Sequence, residues 1–462
     1  MIRIFLALAL NLTAGPLFAA EKTISPLGRE AAAYLSDLVR INTVNPPGNE
    51  RAACDYLAGV LRSAGIPFDI YESTPGRANI VARLKGDGSK GPVLLLAHLD
   101  TVGVEEHQWS FPPFSGEVKD GYLLGRGAID DKSMAASYLA VLLELKRTKT
   151  KLKRDVIFAA TADEESGAAY GVRWMLENHP QALSAEFALN EGGSTYRKGD
   201  AVRLVAIQTL EKSYYDIRLT ARGSSGHASV PLPHNPIFML GRALSRIETW
   251  DRPMRVNLVT RSYMEGVARW EERVLQGAIR DILSDEPELV ENGLDVLRKH
   301  PYYSALLQDT VVPTFFDGGV RANVVPSEAK LNLNVRLLPD SDPEEFLQEL
   351  SGVVDESGIE IEIVDGPNGP PPPPMEEDSE MFSAIRRAVS KRAPKADVVP
   401  SMSVGSTDAE FLRRNGVKVY GIQFPLSTEE EARIHGHDEK IPLTGLDFGT
   451  HLIIEVLREI GL

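Results

Sequence analysis

Apolar residues recur with two different periods along the first part of the chain. Their three- and four-residue spacing in "REAAAYLSDLVRI" and "ERAACDYLAGVLRSAG" is the period of an amphipathic helix. The short apolar runs "PVLLLAHLD" and "RDVIFAATADEE" are typical of buried strands, and "SMAASYLAVLLELKR" between them predicts a helix. Because strands and helices alternate, we expect an α/β domain with a mixed, mostly parallel sheet that is flanked by helices.

The pattern changes after about residue 209, where strands with one exposed face begin. "SYYDIRLTARG" and "EAKLNLNVRLLP" alternate apolar and polar residues, and charged helical segments separate them. We therefore predict a smaller α+β domain over residues 210–339, which includes the helical stretch 265–300. It would be inserted into the α/β domain, which the pattern assigns to residues 21–209 and 340–462.

The first twenty residues form a separate segment, 1–20. "MIRIFLALALNLTAGPLFAA" has one early charge, then an apolar run, then small residues, which is the pattern of a cleavable secretory signal peptide. The apolar run is too short for a comfortable membrane span, although an uncleaved anchor is the alternative. The single cysteine, Cys54, allows no disulfide within the chain and suits a bacterial periplasm. We expect a periplasmic or secreted protein that is not membrane-bound after cleavage.

Composition limits the partners of the protein. A hydrophobic fraction of 43% is enough for a sizeable globular core. The net charge is −15, and cleavage of the signal segment with its Arg3 would make it −16. Such a charge argues against nucleic acid and against anionic membrane surfaces as partners.

Polar residues lie where a parallel sheet would gather its ligands: at the carboxyl ends of predicted strands, just before a predicted helix, and in the late motif "RIHGHDEK". They are His98, Asp100, Asp130, Asp131, Glu164, Glu165, Glu191, His435 and His437. So many buried carboxylates would repel one another unless a cation compensates their charge. Mixed histidine and carboxylate ligands suit zinc or a similar divalent ion, and their number suits two metals that share one carboxylate. Asp100 would then hydrogen-bond the imidazole of His98 and fix its tautomer.

The motifs "HLDTV", "GRGAIDDK", "ADEESG", "NEGG" and "IHGHDEKI", in this order, resemble those of the M20 family of di-zinc metallopeptidases and aminoacylases. The carboxypeptidase S and N-acyl-amino-acid hydrolase branch is the most similar. The resemblance covers nearly the whole chain after the signal segment. "RGSSGHAS" and "RANVVPSEAKLNLNVRLLP" resemble the lid or dimerisation domain of that family. The resemblance to the M20 family implies that the α/β domain is a zinc-peptidase-like catalytic domain and that the protein is a homodimer.

The resemblance also implies roles for the residues at the strand ends. Its five metal ligands are His98, Asp130, Glu165, Glu191 and His435. Asp130 would bridge the two metals, and Glu164 would be the general base that takes a proton from water and delivers it to the leaving amine. Asp131 would then have a structural role. His437 is the alternative to His435 as the last ligand. Asn190 stands where relatives often have an aspartate, and one metal site would be weakened if that position supplies the ligand.

Four residues outside these motifs match substrate-contacting positions of the family. His227 would stabilise an oxyanion in the active site of the partner subunit, although it could be an ordinary surface histidine. Asn323, Arg336 and Gly405 would bind the substrate, with the Arg336 guanidinium clamping a substrate carboxylate. Asp408, near Gly405, could instead cap the helix that follows it.

The predicted reaction is metal-dependent hydrolysis of a peptide or amide bond next to a C-terminal amino acid. A metallocarboxypeptidase or dipeptidase is the first hypothesis, and an N-acyl-amino-acid hydrolase with the same machinery is the alternative. The implied cofactors are two divalent ions, zinc first and cobalt or manganese as alternatives. A non-catalytic binding protein that kept the fold is disfavoured because the whole ligand set is present.

Overall fold

The computed structural model describes residues 24–199, 201–367 and 371–461, so the predicted signal segment 1–20 lies outside the described residues. The helices of this part are α1 (Pro26–Arg40), α2 (Glu50–Ser63), α3 (Lys132–Arg147), α4 (Val172–Asn178), α5 (Pro180–Leu183), α6 (Pro236–Glu248), α7 (Leu258–Val267), α8 (Arg273–Ile282), α9 (Pro287–Leu297), α10 (Pro301–Leu307), α11 (Pro343–Val354), α12 (Glu380–Arg392), α13 (Ala409–Arg414), α14 (Thr428–Glu431) and α15 (Leu443–Glu459). Within the described ranges, we find no helix with the length and apolar character that a membrane crossing requires.

The strands follow the same chain order. They are β1 (Phe68–Thr74), β2 (Arg77–Leu84), β3 (Val93–His98), β4 (Val118–Lys119), β5 (Tyr122–Leu124), β6 (Val156–Thr161), β7 (Phe187–Asn190), β8 (Ser194–Lys198), β9 (Ala201–Glu211), β10 (Ser213–Arg222), β11 (Gly226–His227), β12 (Thr310–Gly318), β13 (Val324–Val325), β14 (Glu328–Leu337), β15 (Ile359–Asp365), β16 (Asp397–Ser403), β17 (Lys418–Gly421), β18 (Pro425–Leu426) and β19 (Lys440–Pro442).

A large mixed sheet carries the strand ends that the sequence singles out. Its order is β1-β2-β6-β3-β7-β17-β9-β8-β18, and β16 also pairs with β9. The central strands β6, β3, β7 and β17 are parallel, whereas β1, β2, β8 and β9 form antiparallel pairs. His98 at the end of β3 lies beside Thr161 at the end of β6. The predicted mixed sheet flanked by helices is confirmed, and its carboxyl ends meet at one edge.

Alternate residues of the central strands enter two different cores. Leu95 and Phe158 pack with residues of α1, α3, α12 and α15 on one face of the sheet. Leu94 and Ile157 pack with residues of α4 and α13 on the other face. Because both faces are covered, these strands are continuous apolar runs rather than alternating ones.

A four-stranded antiparallel sheet, which we call the lid sheet, has the order β12-β14-β10-β15 among the described residues. Every second residue of β14 is buried, and the buried face packs against α6 and α11. Its last strand, Ile359–Asp365, pairs with β10 and lies beyond the predicted boundary at residue 339. The boundary is therefore corrected to about residue 365, since a strand pattern alone does not identify the neighbouring strand.

Helices α7 to α10, which we call the helical insert, belong with the large sheet rather than with the lid sheet. Residues such as Met264 and Ile279 form one core with Leu204 of β9 and Val399 of β16. The sequence assigned the stretch 265–300 to the smaller domain, and the structure corrects this. The physical reason is that an apolar helix face shows that something covers the helix, but not which sheet does so.

Candidate metal centre

Two groups of potential metal ligands meet at the carboxyl ends of β3, β6 and β7. Within each group the ligand atoms lie within 4.8 Å of one another. The first group is His98, Asp130 and Glu191, and the second is Asp130, Glu165 and His435. Asp130 belongs to both groups, as expected for a carboxylate that bridges two metals.

The two carboxylate oxygens of Asp130 face different groups. Its Oδ1 lies 2.9 Å from Nε2 of His98, which is 3.7 Å from Oε1 of Glu191. Its Oδ2 lies 3.1 Å from Nε2 of His435, which is also 3.1 Å from Oε2 of Glu165. The structure thus brings together all five residues that the resemblance implies as ligands.

The charges of these side chains fit bound cations. Burial, followed by the charge of Asp130, raises the pKa of Glu191 to about 8. Burial would lower the pKa of His98, but the charges and hydrogen bonds of Glu191, Asp100 and Asp130 raise it well above its ordinary value. Hydrogen bonds to Asp130 and Glu165 raise the pKa of His435 to about 10. Each group combines a histidine nitrogen with carboxylate oxygens, a donor set that suits a divalent cation and relieves this excess of negative charge.

Asp100 contacts His98 and also holds the neighbouring loop. The Nδ1 atom of His98 lies 3.1 Å from the main-chain oxygen of Asp100 and 3.5 Å from its Oδ1 atom. The Asp100 carboxylate accepts hydrogen bonds from the backbone N–H groups of Glu164 at 3.1 Å and Glu165 at 3.2 Å. Asp100 therefore lies against His98 with both its carbonyl group and its carboxylate, and the carboxylate also holds the loop of the two glutamates.

A buried polar network behind this loop was not recognised in the sequence. Asn45 donates to Asp100 at 2.9 Å and to Asp163 at 2.8 Å. Arg77 donates to the same Asp163 carboxylate at 2.8 Å and to Glu50. Asp163 has a φ of 68°, a left-handed conformation that these partners stabilise. The only signal in the sequence was the position of Asp163 immediately before the two glutamates.

Glu439 holds the backbone of the loop that carries Asp130. Its carboxylate, fully buried, accepts the backbone N–H groups of Ile129 at 2.7 Å, Gly127 at 3.1 Å and Asp130 at 3.2 Å. Arg126 also donates to this carboxylate. Glu439 lies in the same motif as His435, but no pattern in the sequence indicates this role.

Glu164 lies outside both ligand groups of the described chain and is therefore available for proton transfer. Burial, followed by the charge of Glu191, raises its pKa well above the ordinary value for a glutamate. Its side chain lines a cavity of about 630 Å³ that opens between the large sheet and the lid sheet. A carboxylate of raised basicity beside a metal centre suits a general base.

Arg336 lines the same cavity from β14. Its guanidinium lies 4.5 Å above the ring of Tyr214, and its Nε donates to Asn334 at 3.1 Å. Gly405 lies in the loop 403–408, which we call the glycine loop. Ser406 of this loop also lines the cavity. A single chain therefore places the cationic side chain, the glycine loop and Glu164 around one space.

Hydrogen bonds to Glu211 hold the glycine loop in place. Glu211 accepts hydrogen bonds from the backbone N–H of Thr407 at 3.0 Å and from its hydroxyl at 3.1 Å. Asp408 lines the cavity and accepts a hydrogen bond from Thr161 at 3.3 Å, but its side chain does not cap α13. Burial raises the pKa of Asp408 to about 7.

His227 and Asn323 lie apart from this cavity within the described chain. They are close to each other, because β11 pairs with β13 and the N–H of Ala228 donates to the Asn323 oxygen at 3.0 Å. His227 is exposed, and its Nδ1 is 2.7 Å from the hydroxyl of Ser229. Among the described residues, neither His227 nor Asn323 lines this cavity or belongs to a ligand group.

The remaining candidates have separate positions. His437 lies 3.5 Å from Glu105, and in the described structure it belongs to neither ligand group. Asn190 is buried with its amide 3.5 Å from the hydroxyl of Thr407. Asp131 is buried next to Asp130, and burial raises its pKa well above the ordinary value.

Comparison with known proteins identifies relatives across most of the chain. The family model described as peptidase family M20/M25/M40 matches residues 94–459. The N-fatty-acyl-amino acid synthase/hydrolase PM20D1 of Homo sapiens is 27% identical over 383 residues, which are 80% of this chain and 74% of the relative. The probable carboxypeptidase S-like 2 of Dictyostelium discoideum is 26% identical, over 81% of this chain and 74% of the relative. Among solved structures, the M20 family metallo-carboxypeptidase Sso-CP2 from Sulfolobus solfataricus has a TM-score of 0.71 at 19% identity, covering 93% of this chain and 99% of its own.

Proposed function

Because this chain belongs to peptidase family M20/M25/M40, we propose that it hydrolyses the amide bond next to a C-terminal amino acid with a free carboxylate. The observation that carries the proposal is the pair of ligand groups sharing Asp130, with Glu164 and Arg336 lining one adjacent cavity. A peptide, cleaved by a carboxypeptidase or dipeptidase activity, is the first substrate class. An N-acyl amino acid is the second, and the PM20D1 relatives favour it.

The metal centre would hold two divalent cations, one in each ligand group. Zinc is the proposed metal, because it accepts mixed imidazole and carboxylate ligands, with cobalt and manganese as alternatives. When bound there, two such cations would polarise the amide carbonyl and lower the pKa of a water towards neutrality.

Glu164 would take a proton from the attacking water and deliver it to the leaving amine. Its neighbour Glu165 faces His435 in the second ligand group, so only Glu164 is left for this task. Asp100 holds the backbone of both residues and thereby keeps the two carboxylates in their separate positions.

Arg336 would bind the free carboxylate of the substrate. A guanidinium presents parallel donors that match a carboxylate, and the stack on Tyr214 holds its plane. Ser406, next to Gly405 in the glycine loop, lines the same cavity and would add a further polar contact to the carboxylate.

We also propose that His227 and Asn323 reach the active site of a partner subunit in a homodimer. Their position on the small β11–β13 sheet, apart from the cavity of their own described chain, supports this arrangement. The amino-terminal segment 1–20 supports secretion to the periplasm or beyond.

The proposal is tested by hydrolysis of a substrate panel by zinc-loaded protein. The panel holds dipeptides, N-acetyl and long-chain N-acyl amino acids, and the same compounds with amidated C-termini. We expect activity on the free carboxylates, and a loss of roughly 10²- to 10⁴-fold in kcat for Glu164→Gln with metal content unchanged. Arg336→Ala should lower kcat/KM for free carboxylates by about 10²-fold or more and leave the amides little changed.

Glu362→Gln provides the matched control, since this glutamate is exposed on β15 and should leave kcat and KM unchanged. Equal loss of activity in Glu164→Gln and Glu362→Gln would contradict the role of Glu164 as the general base. Failure of zinc-loaded protein to cleave any free carboxylate in the panel would overturn the proposed reaction.

A further inference from the structure

A second cavity, of about 490 Å³, lies between the helical insert and the edge of the large sheet. Its volume falls in the range of roughly 300–1,000 Å³ that is typical of small-molecule sites. The apolar and aromatic side chains in its wall are Tyr196, Leu204, Tyr263, Val267, Trp270, Tyr302, Tyr303, Met402 and Val404, and the wall also contains Glu271, His300 and Glu431. This apolar cavity has no role in the mechanism described above.

We propose that the apolar cavity binds the acyl chain of a long-chain N-acyl amino acid whose amide bond lies at the metal centre. This inference rests on the proposed function and specifies its substrate class. It selects the second of the two substrate classes named there.

The loop 403–408 stands between the apolar cavity and the cavity of Arg336. Val404 lines the apolar cavity, whereas Ser406 lines the other one, and Gly405 lies between them. A substrate at this loop would therefore have one cavity on each side. Its carboxylate would bind on the Arg336 side, and its acyl group would extend to the other.

The loops that carry the metal ligands also form part of the wall. Gly193 lines the apolar cavity two residues after Glu191, and Glu431 lines it four residues before His435. The segments that position Glu191 and His435 therefore also contribute to the cavity wall, as expected for a subsite that holds one end of the substrate.

Two of the aromatic side chains in the wall use their polar groups in hydrogen bonds to neighbouring carboxylates. The Tyr303 hydroxyl donates to Glu271 at 2.6 Å, and the Trp270 indole donates to Asp397 at 2.8 Å. The rings of Tyr302 and Tyr303 lie 5.5 Å apart, and those of Tyr263 and Tyr302 lie 6.5 Å apart. The remaining wall is largely ring surface, and methylene groups buried against it make binding more favourable.

A peptide is the competing occupant of the cavity. Its amino terminus would be cationic, and Glu271 and Glu431 are the carboxylates in the wall that could pair with it. Two observations favour the acyl chain: the cavity is larger than one side chain needs, and the relatives named for N-fatty-acyl substrates match 80% or more of this chain. A dipeptide with an apolar first residue therefore belongs in the test.

The experiment compares N-acetyl-, N-octanoyl- and N-palmitoylphenylalanine, together with Phe-Phe, as substrates of the zinc-loaded full chain. We expect kcat/KM to rise with acyl length by up to about fourfold per buried methylene. Tyr302 is 40% exposed at the cavity, so Tyr302→Asp introduces a charge there with little disturbance of the core. This variant should lower the palmitoyl-to-acetyl ratio of kcat/KM by about tenfold or more.

Two further variants separate the acyl site from a general loss of structure. Tyr302→Phe keeps the ring and should keep the ratio of the unmodified protein. Leu289→Asp adds a charge to α9 in the same helical insert, at an exposed position outside the cavity lining, and should leave all rates unchanged.

Binding to the inactive Glu164→Ala protein gives an independent measurement by calorimetry. N-palmitoylphenylalanine should bind at least about tenfold more tightly than N-acetylphenylalanine, with a negative heat-capacity change, and Tyr302→Asp should abolish the difference. The inference is overturned if acyl length does not affect binding, if Tyr302→Asp weakens both ligands equally, or if Phe-Phe is the preferred substrate and the one that Tyr302→Asp affects. If the unmodified protein cleaves nothing, the proposed function fails, and the calorimetry alone decides the acyl site.

Discussion

Neighbouring residues of the same chemical type have different tasks at this metal centre. Glu165 contacts His435, whereas Glu164 belongs to neither ligand group of the described chain. Asp130 is shared by both groups, whereas Asp131 is buried beside it. A one-residue shift along an irregular loop changes the direction of the side chain, so that each carboxylate meets different partners.

The shared carboxylate leads to a prediction about metal content. Asp130→Asn should bind almost no metal after dialysis, while Glu191→Gln should retain about one of about two ions per chain, because only Asp130 serves both groups. Plasma mass spectrometry of the purified proteins measures this. Asp131→Asn is the matched control and should keep both ions. Retention of one ion by Asp130→Asn would contradict a bridging role.

At the scale of elements, the connection between the large sheet and the lid sheet is very short. Lys212 alone separates β9 from β10. It is fully buried, its N–H donates to the Ser403 oxygen at 3.1 Å, and its Nζ donates to the Gln308 oxygen at 2.6 Å, just after α10. One residue thus links both sheets, the glycine loop and the helical insert.

The burial of Lys212 leads to a prediction about stability and pH. Burial lowers its pKa from 10.5 to about 8. Between these values the unfolded chain binds more protons than the folded chain, so the contribution of Lys212 to the free energy of unfolding rises with pH. It is fully present above pH 10.5 and is lost as the pH falls through about 8. As the pH rises over this range, the free energy of unfolding of the unmodified protein should increase by up to about 3 kcal/mol relative to that of Lys212→Met.

Urea unfolding of both proteins at several pH values measures this difference. Lys146→Met, at an exposed position near the end of α3, is the control and should leave the pH profile of stability unchanged. A difference between the unmodified protein and Lys212→Met that does not change with pH would contradict the expected titration.

At the scale of the whole molecule, the proposed homodimer would complete each active site with residues of the partner. His227 is exposed on the β11–β13 sheet and lies outside the cavity lining of its own described chain. If the partner supplies it, two inactive variants can complement each other, since a mixed dimer contains one site with every functional group.

Mixing Glu164→Gln with His227→Ala should therefore restore activity. Random subunit exchange gives about half mixed dimers with one intact site each, so about a quarter of the unmodified activity is expected. Each variant alone should lose about 10²-fold or more in kcat. His234→Ala, at another exposed histidine of the lid, should stay active by itself. Sedimentation of the protein as a monomer, or no recovery on mixing, would exclude the arrangement.

The candidate site was predictable where a residue type and a strand end coincided. His98, at the end of a fully apolar strand, and Glu164 and Glu165, after another one, stand out in the sequence because several such polar residues at neighbouring strand ends are hard to explain by folding alone. Asn45, Arg77 and Glu439 did not stand out, since their partners are distant along the chain.

The sequence by itself determined the alternation of strands and helices, the mixed sheet and the residue types at the strand ends. These features depend on periodicity and on local polarity, which a chain carries in its order of residues. Tertiary structure alone decided that the helical insert covers the large sheet, that β15 completes the lid sheet, and that an apolar cavity adjoins the glycine loop. The reason is that helix faces and strand edges of similar character can pair in several ways, and only the packing of the whole chain selects one of them.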